Sequence, residues 1–370
     1  ASKLRIQVRD LDGQQEGLPL YFRLTELEAY APTDFIDIGR VIYVQVSSSE
    51  TCTPSGIAAL HDNSDKTYAA EHAINGMYYD NLEHLGYAVP ESFGLKNFKN
   101  TADIEINILR WWQHRIFRNS GVSADGTEIY LDTDWLTSLQ STAYSDRITW
   151  IENAYEFIDQ PGEWYLNRSE SKLYYKPDGS MDGKSAALPV TEQLLVFEGT
   201  ENITFDGVKF EDTSWLTPNE IGYNDAQSGT YAQHNGVWGD VPGAIETHAA
   251  KNITITNSEL RNLGIGGIRI GNGSSDCAIT NSAIHDISSS GIFIGNNTGH
   301  NHGYCDPGTD VTGVVVRNNY ITRTGLDIFG SSAICALYTS DTVIDHNEVC
   351  YTTYTGISLG LSLIHISEPT

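Results

Sequence analysis

The sequence predicts an all-β chain whose second half is a right-handed parallel β-helix, and three observations carry that prediction. Five segments align with one another: NITFDGVKF (202–210), NITITNSEL (252–260), DCAITNSAI (276–284), GVVVRNNYI (313–321) and DTVIDHNEV (341–349). About fifteen residues after three of these starts comes a second short strand, GIRIG (267–271), GIFIG (291–295) and GISLG (356–360), with GAIE (243–246) and SAICAL (332–337) as its equivalents in the first and fourth repeats. No helix-period pattern interrupts them. Successive starts are offset by 50, 24, 37 and 28 residues, so the unit is about two dozen residues carrying insertions. A unit of that size with two or three short strands is one coil of a parallel β-helix; leucine-rich repeats lack this Leu spacing and propellers need four-strand blades.

The chain is read in four stretches. Residues 1–90 form a β-rich accessory region, with LRIQVRD (4–10) and FIDIGRVIYVQV (35–46) as strands. Within it LYFRLTELEAY (20–30) and AEHAINGMYYD (70–80) resemble the closing and opening strands of discoidin-type sandwiches, although a plain β domain serves as well. Residues 91–195 form an inserted β domain with strands IEINILRWW (104–112) and TEIYLD (127–132). Alternation and a Pro-Gly turn there predict a hairpin in 150–177, pairing Glu163–Leu166 with Leu173–Lys176. Residues 196–360 are the coils. Ile253, Ile255, Leu260, Ile268 and Ile270 should face inward, as should Ile279, Ile284, Ile292 and Ile294. One inward column is expected to hold Ile253, Ile279, Val316 and Ile344, while Asn257, Asn281 and Asn318 occupy a left-handed bend. Residues 361–370 (LSLIHISEPT) match what a common sequencing adapter encodes in frame, so the natural sequence is expected to stop near Gly360, inside an unfinished domain.

Forty-eight acidic side chains against 22 basic ones give a formal charge of −26. That field repels phosphate backbones and anionic lipid, which argues against nucleic-acid and membrane partners. No apolar run is long enough to span a bilayer. The five cysteines (52, 277, 305, 335 and 350) have no metal-type spacing. Walker, nucleophile-elbow and H-E-x-x-H motifs are absent, and GIGGIRIG (264–271) lies in a β repeat with no following helix.

Loops grafted on a rigid stack carry function, and three insertions stand out. Residues 211–242 and 324–331 leave the same bend and should rise on one side of the stack; 296–311 follows the second strand of the third coil. The segment 150–177, followed by LLVFEGTENITFDGVKFEDTSW (194–215), resembles β-helix proteins of glycoside hydrolase family 141, over about Asp103 to Gly360. The resemblance implies a secreted or periplasmic bacterial enzyme acting on a plant or host glycan, with α-L-fucosidase or xylanase activity, and places the hairpin in a β domain inserted before the main coils.

Glycoside hydrolysis needs two carboxyl groups flanking the bond. Asp286 lies at a coil bend, in a column with Asn262, Arg323 and Tyr351, and Asp327 lies in the next coil's insertion, so adjacent coils bring the two within the required range. Asp286 beside Arg323 should stay charged as nucleophile or base, leaving Asp327 as acid; the alternative is a surface ion pair and a turn residue. Asp345, His346 and Glu348 form a further candidate, with Glu348 outward in the column of Glu259 and Tyr320, where a solvated face is equally natural. Glu246 and His248 could close the cleft. His300 and His302 could orient sugar hydroxyls or, with Asp306 and Asp310, hold a structural cation; no other cofactor is expected. Trp215, Tyr223, Tyr231 and Trp238 could stack on sugar rings or simply pack a loop that has no other core. A non-catalytic glycan-binding β-helix is the second reading. A polysaccharide lyase is disfavoured for want of an Arg/Lys cluster.

Overall fold

The computed structural model describes residues 41–42, 77–80, 84–110, 112–131, 148–232, 238–295 and 309–360. Segments 4–10, 20–30, 361–370 and most of 35–46 and 70–80 lie outside the described residues. The chain forms two compact units, one from 1–110, 115–184 and 219–222, the other from 111–114, 185–218 and 223–370. Among the described residues no helix is long and apolar enough to cross a membrane.

The first unit is antiparallel β structure. Met77–Asp80 pairs with His84–Ala88, which pairs in turn with Glu128–Leu131. Glu105–Arg110 pairs with Trp150–Glu152. Ile104, Ile106 and Ile108 alternate into a core with Ile129, Leu131 and Trp150. The expected hairpin is present as Trp164–Asn167 against Lys172–Tyr175, with Tyr165 opposite Tyr174. Its buried end is polar: the Tyr165 hydroxyl donates to Asp103, and Arg168 pairs with Glu105.

The second unit is a stack of coils bounded by three parallel sheets. The first sheet contains Leu195–Glu198, Gly243–His248, Gly266–Gly271, Ile292–Gly295, Ile334–Leu337 and Ile357–Leu359. The second contains Glu201–Asp206, Lys251–Thr256, Ala278–Thr280, Val315–Arg317 and Val343–Asp345. The third contains Lys209–Thr213, Glu259–Leu263, Ala283–Ile287, Tyr320–Thr324 and Glu348–Cys350. Every neighbouring pair in these sheets is parallel, which requires a crossover between them, and here each crossover is the rest of a coil.

Inside, like side chains stack on like. Ile245, Ile268, Ile292, Ile334 and Ile357 form one ladder, and Phe210, Leu260, Ile284, Ile321 and Val349 another. Each fully buried rung contributes about 1.5–3 kcal/mol by its removal from water. One expected column is corrected. Ile279, Val316 and Ile344 are in register, but the rung before them is Ile255; Ile253 pairs with Ile203 two residues away. Ile253 remains buried, because a shift of two residues keeps the same face.

Between the second and third sheets the chain turns on a single left-handed residue. Asn257, Asn281 and Asn318 take φ of 51°, 52° and 57° there. Asn318 Nδ2 donates to Asn281 Oδ1 at 2.8 Å, and Asn257 Nδ2 to Asp206 Oδ1 at 2.7 Å. The next residue turns inward and forms a polar ladder. The amides of Val208, Ser258, Ser282 and Asn319 donate to the side-chain oxygens of Ser258, Ser282, Asn319 and Asn347, one coil on, at 3.0–3.1 Å.

Candidate active site

The bend between the third and first sheets builds the site. Asp212, Asn262, Asp286, Arg323 and Tyr351 occupy it in successive coils with φ of 64°, 52°, 58°, 48° and 51°. This is the column in which Asp286, Asn262, Arg323 and Tyr351 were expected. Glycine, Asn and Asp reach the left-handed region cheaply, whereas Arg and Tyr reach it at a cost of order 1–3 kcal/mol.

Asp286 is bracketed by Arg323 and His285. Arg323 Nε donates to Oδ1 at 2.6 Å and Nη2 contacts Oδ2, while His285 Nδ1 lies 2.7 Å from Oδ2. Burial alone would raise this carboxyl, but the His285 and Arg323 hydrogen bonds and charges outweigh it and hold it at about 2. Asp286 is therefore ionised throughout the physiological range.

Asp327 arrives from the insertion 324–331, which folds back over the preceding coil. The amides of Asp327 and Ile328 both donate to Ser288 O, at 3.1 and 2.8 Å, and that of Leu326 donates to Ile287 O. The Ser288 hydroxyl donates to Asp327 Oδ2. Asp327 is thus moored to the residue two positions beyond Asp286. The insertion is clamped from its other side as well: Phe329 N donates to His114 Nδ1 at 3.3 Å, and their rings stack at 5.0 Å.

The insertions at 211–242 and 324–331 do leave the same bend, and they touch. Ser228 N donates to Gly330 O at 3.0 Å, and the Ser228 and Ser332 hydroxyls are 3.0 Å apart. The longer insertion carries its own aromatic core: the rings of Trp215, Tyr223 and Tyr231 lie 5.2–5.9 Å apart and are at most 7% exposed. This corrects the expectation for Trp215 and Tyr231. A 32-residue excursion has to bury apolar surface of its own, and these rings do so instead of offering a face to a sugar. Trp238 stands on the strand Trp238–Asp240, opposite Ala232; its side chain is outside the described residues, as are His300 and His302.

The remaining candidates lie elsewhere. Glu246 is buried on the outer side of the first sheet, where Arg269 Nη1 donates to its Oε1 at 2.6 Å and Gln193 Nε2 to its Oε2 at 2.8 Å. Arg269 also reaches Asp240 at 2.6 Å, and His248 approaches Glu246 at 3.2 Å. Glu348 is exposed, in the outward column that runs Glu259, Ala283, Tyr320, Glu348. Asp345 is held by Arg317 at 3.1 Å and by His346 at 2.5 Å, away from Asp286.

Sequence reasoning missed His285, Ser288, Asp240 and Arg269. His285 and Ser288 stand in the IHDISSSGI segment quoted for Asp286, and the outward position of His285 follows from the alternation Ala283, His285 around inward Ile284. That alternation was the available signal. Arg269 follows in the same way from outward alternation in GIRIG, one coil beyond Glu246.

Residues 243–367 match the family described as right handed beta helix region. A solved structure titled "Glycoside hydrolase" is 23% identical with a TM-score of 0.64, covering 78% of this chain and 56% of that one. The chain therefore spans just over half of that protein's length, and at this identity the likeness is one of fold. An alginate lyase from Paenibacillus sp. str. FPU-7 shares 19% identity over 40% of this chain and 50% of its own, at a TM-score of 0.24, too low to bear on fold or function. No curated protein matches the chain. With the coil ladders and the matched region in agreement, the second unit is a right-handed parallel β-helix.

Proposed function

We propose that the protein is a glycoside hydrolase acting on a plant or host glycan, an α-L-fucoside or a xylan, with Asp286 as nucleophile or base and Asp327 as acid. One observation carries the reading: the insertion of the next coil brings Asp327 to a hydrogen bond with Ser288, two residues along the chain from Asp286. Two titratable groups with different surroundings divide the acid and base roles. Asp286, held at about 2 by His285 and Arg323, is the member that stays ionised, which leaves proton donation to Asp327. The fold shared with the glycoside hydrolase structure is consistent with this.

The test is turnover of aryl α-L-fucosides, aryl xylosides and xylan by the wild type, Asp286→Asn and Asp327→Asn. Loss of several orders of magnitude in both variants, with cooperative thermal unfolding retained, supports the assignment. Full activity in either variant overturns it. The reading as a glycan-binding protein without catalysis leaned on exposed aromatics, and the burial of Trp215, Tyr223 and Tyr231 removes most of that support.

A further inference from the structure

We propose that His285 is a positioning residue for Asp286, an imidazolium clamped between Glu259 and Asp286 that fixes the orientation and ionisation of the Asp286 carboxylate. The inference rests on the reading of Asp286 as the nucleophile or base. It stands on a count of protons. His285 Nδ1 lies 2.7 Å from Asp286 Oδ2, and Nε2 lies 3.1 Å from Glu259 Oε1. An ionised carboxylate only accepts hydrogen bonds, and a neutral imidazole has one N–H to give. Only the doubly protonated ring satisfies both contacts.

Both carboxylates also have cationic partners besides His285. Asp286 pairs with Arg323, and Glu259 faces Lys209 at 3.5 Å and Arg261 at 3.9 Å. Arg261 is the register neighbour of His285 in the preceding coil, but its Nε turns to Glu211 Oε2 at 2.8 Å, which leaves Glu259 Oε1 to the imidazole. The register neighbour in the following coil is Thr322, which is uncharged. Arg323 Nη2 comes within 3.4 Å of Nδ1 and opposes the ring's charge. Its effect is smaller: the Asp286 hydrogen bond first, then that of Glu259 against burial, leaves the imidazolium favoured and His285 above its ordinary range. Proton loss from His285 therefore removes one of the two cations on Asp286 and turns a lone pair toward a carboxylate.

Glu259→Gln keeps the shape and an acceptor at Nε2 while removing the charge, and it does not touch Asp286. Histidine-selective NMR titration, with His285→Gln for assignment, should show His285 titrating above 6.5 in the wild type and lower in Glu259→Gln. His285→Gln should lower kcat more than it raises KM. A wild-type His285 titrating at or below 6.5, or a His285→Gln variant with unchanged kcat, overturns the inference even if Asp286→Asn is inactive. An elevated His285 with a fully active Asp286→Asn sinks the catalytic reading, leaving the clamp as a determinant of Asp286 ionisation alone.

Discussion

Arg323 Nε lies 2.6 Å from Asp286 Oδ1, and the two residues occupy the same left-handed bend position in consecutive coils. The stack itself thus supplies the pairing: side chains at equivalent bend positions emerge about 4.8 Å apart along the axis. Arg323→Ala leaves the half-buried carboxylate with His285 alone. It should raise the Asp286 carboxyl above about 2 and destabilise the fold by roughly 1–2 kcal/mol, because solvent still screens part of the pair. Carboxyl NMR and denaturant unfolding read the two effects.

Aspartates in similar chemical company should behave differently under substitution. Asp345 also contacts an arginine and a histidine, but on the second sheet and at the surface. Asp345→Asn should retain most of the proposed glycosidase activity, whereas Asp286→Asn should lose several orders of magnitude. Parallel kinetics on the two purified variants decide the matter.

The pH dependence of stability follows from the signs of the shifts. Asp286 falls from 3.8 to about 2 on folding, so its contribution is full above the unfolded value and disappears as pH drops through about 2. The size is about 2 kcal/mol. His285 is raised, so its contribution is full below 6.5 and disappears as pH rises through its folded value. Thermal unfolding from pH 2 to 9 should show both losses, and Asp286→Asn should flatten the acid arm.

Gly330 admits no side chain. A Cβ there would fall on the Asp225 carboxylate and 2.8 Å from Trp112 O. Gly330→Ala should cost about 1–3 kcal/mol by overpacking and, by displacing the insertion that carries Asp327, reduce kcat. Unfolding midpoints with single-turnover rates test both halves.

The inner polar ladder gives another test. Asn319 Oδ1 accepts from Ser282 N at 3.0 Å, and its Nδ2 donates to Ile279 O at 2.9 Å. Asn319→Ala removes both bonds, leaving the buried Ser282 amide without its acceptor, and should cost about 1–3 kcal/mol, measurable by chemical denaturation.

The coils were legible because their rule is local and repeated. Alternation placed Ile279, Val316 and Ile344 inward, and Asn at the bends announced the left-handed turns. Ile253 was misplaced because the pattern alternates every two residues, so alternation specifies the face and leaves open which rung of that face is meant. The bend column that contains Asp286 and Arg323 could be read from alignment alone. Whether Trp215 and Tyr231 face a sugar or pack their own loop stayed open, since a long insertion has no period and its packing depends on contacts distant in sequence. His285 went unweighed because its meaning lies in Glu259, 26 residues earlier and one coil below.

The φ of 48° at Arg323 sets local comfort against chemistry. Asparagine, the residue at this bend in the Asn262 coil, would relax the backbone and at the same stroke release Asp286 from its arginine. Evolutionary drift toward an easier bend therefore erodes the candidate site, and a lineage that has lost the proposed activity should carry Asn, Asp or Gly at this position while its coils remain intact. The identity of this one residue across descendants would then record whether selection still acts on the reaction or only on the scaffold.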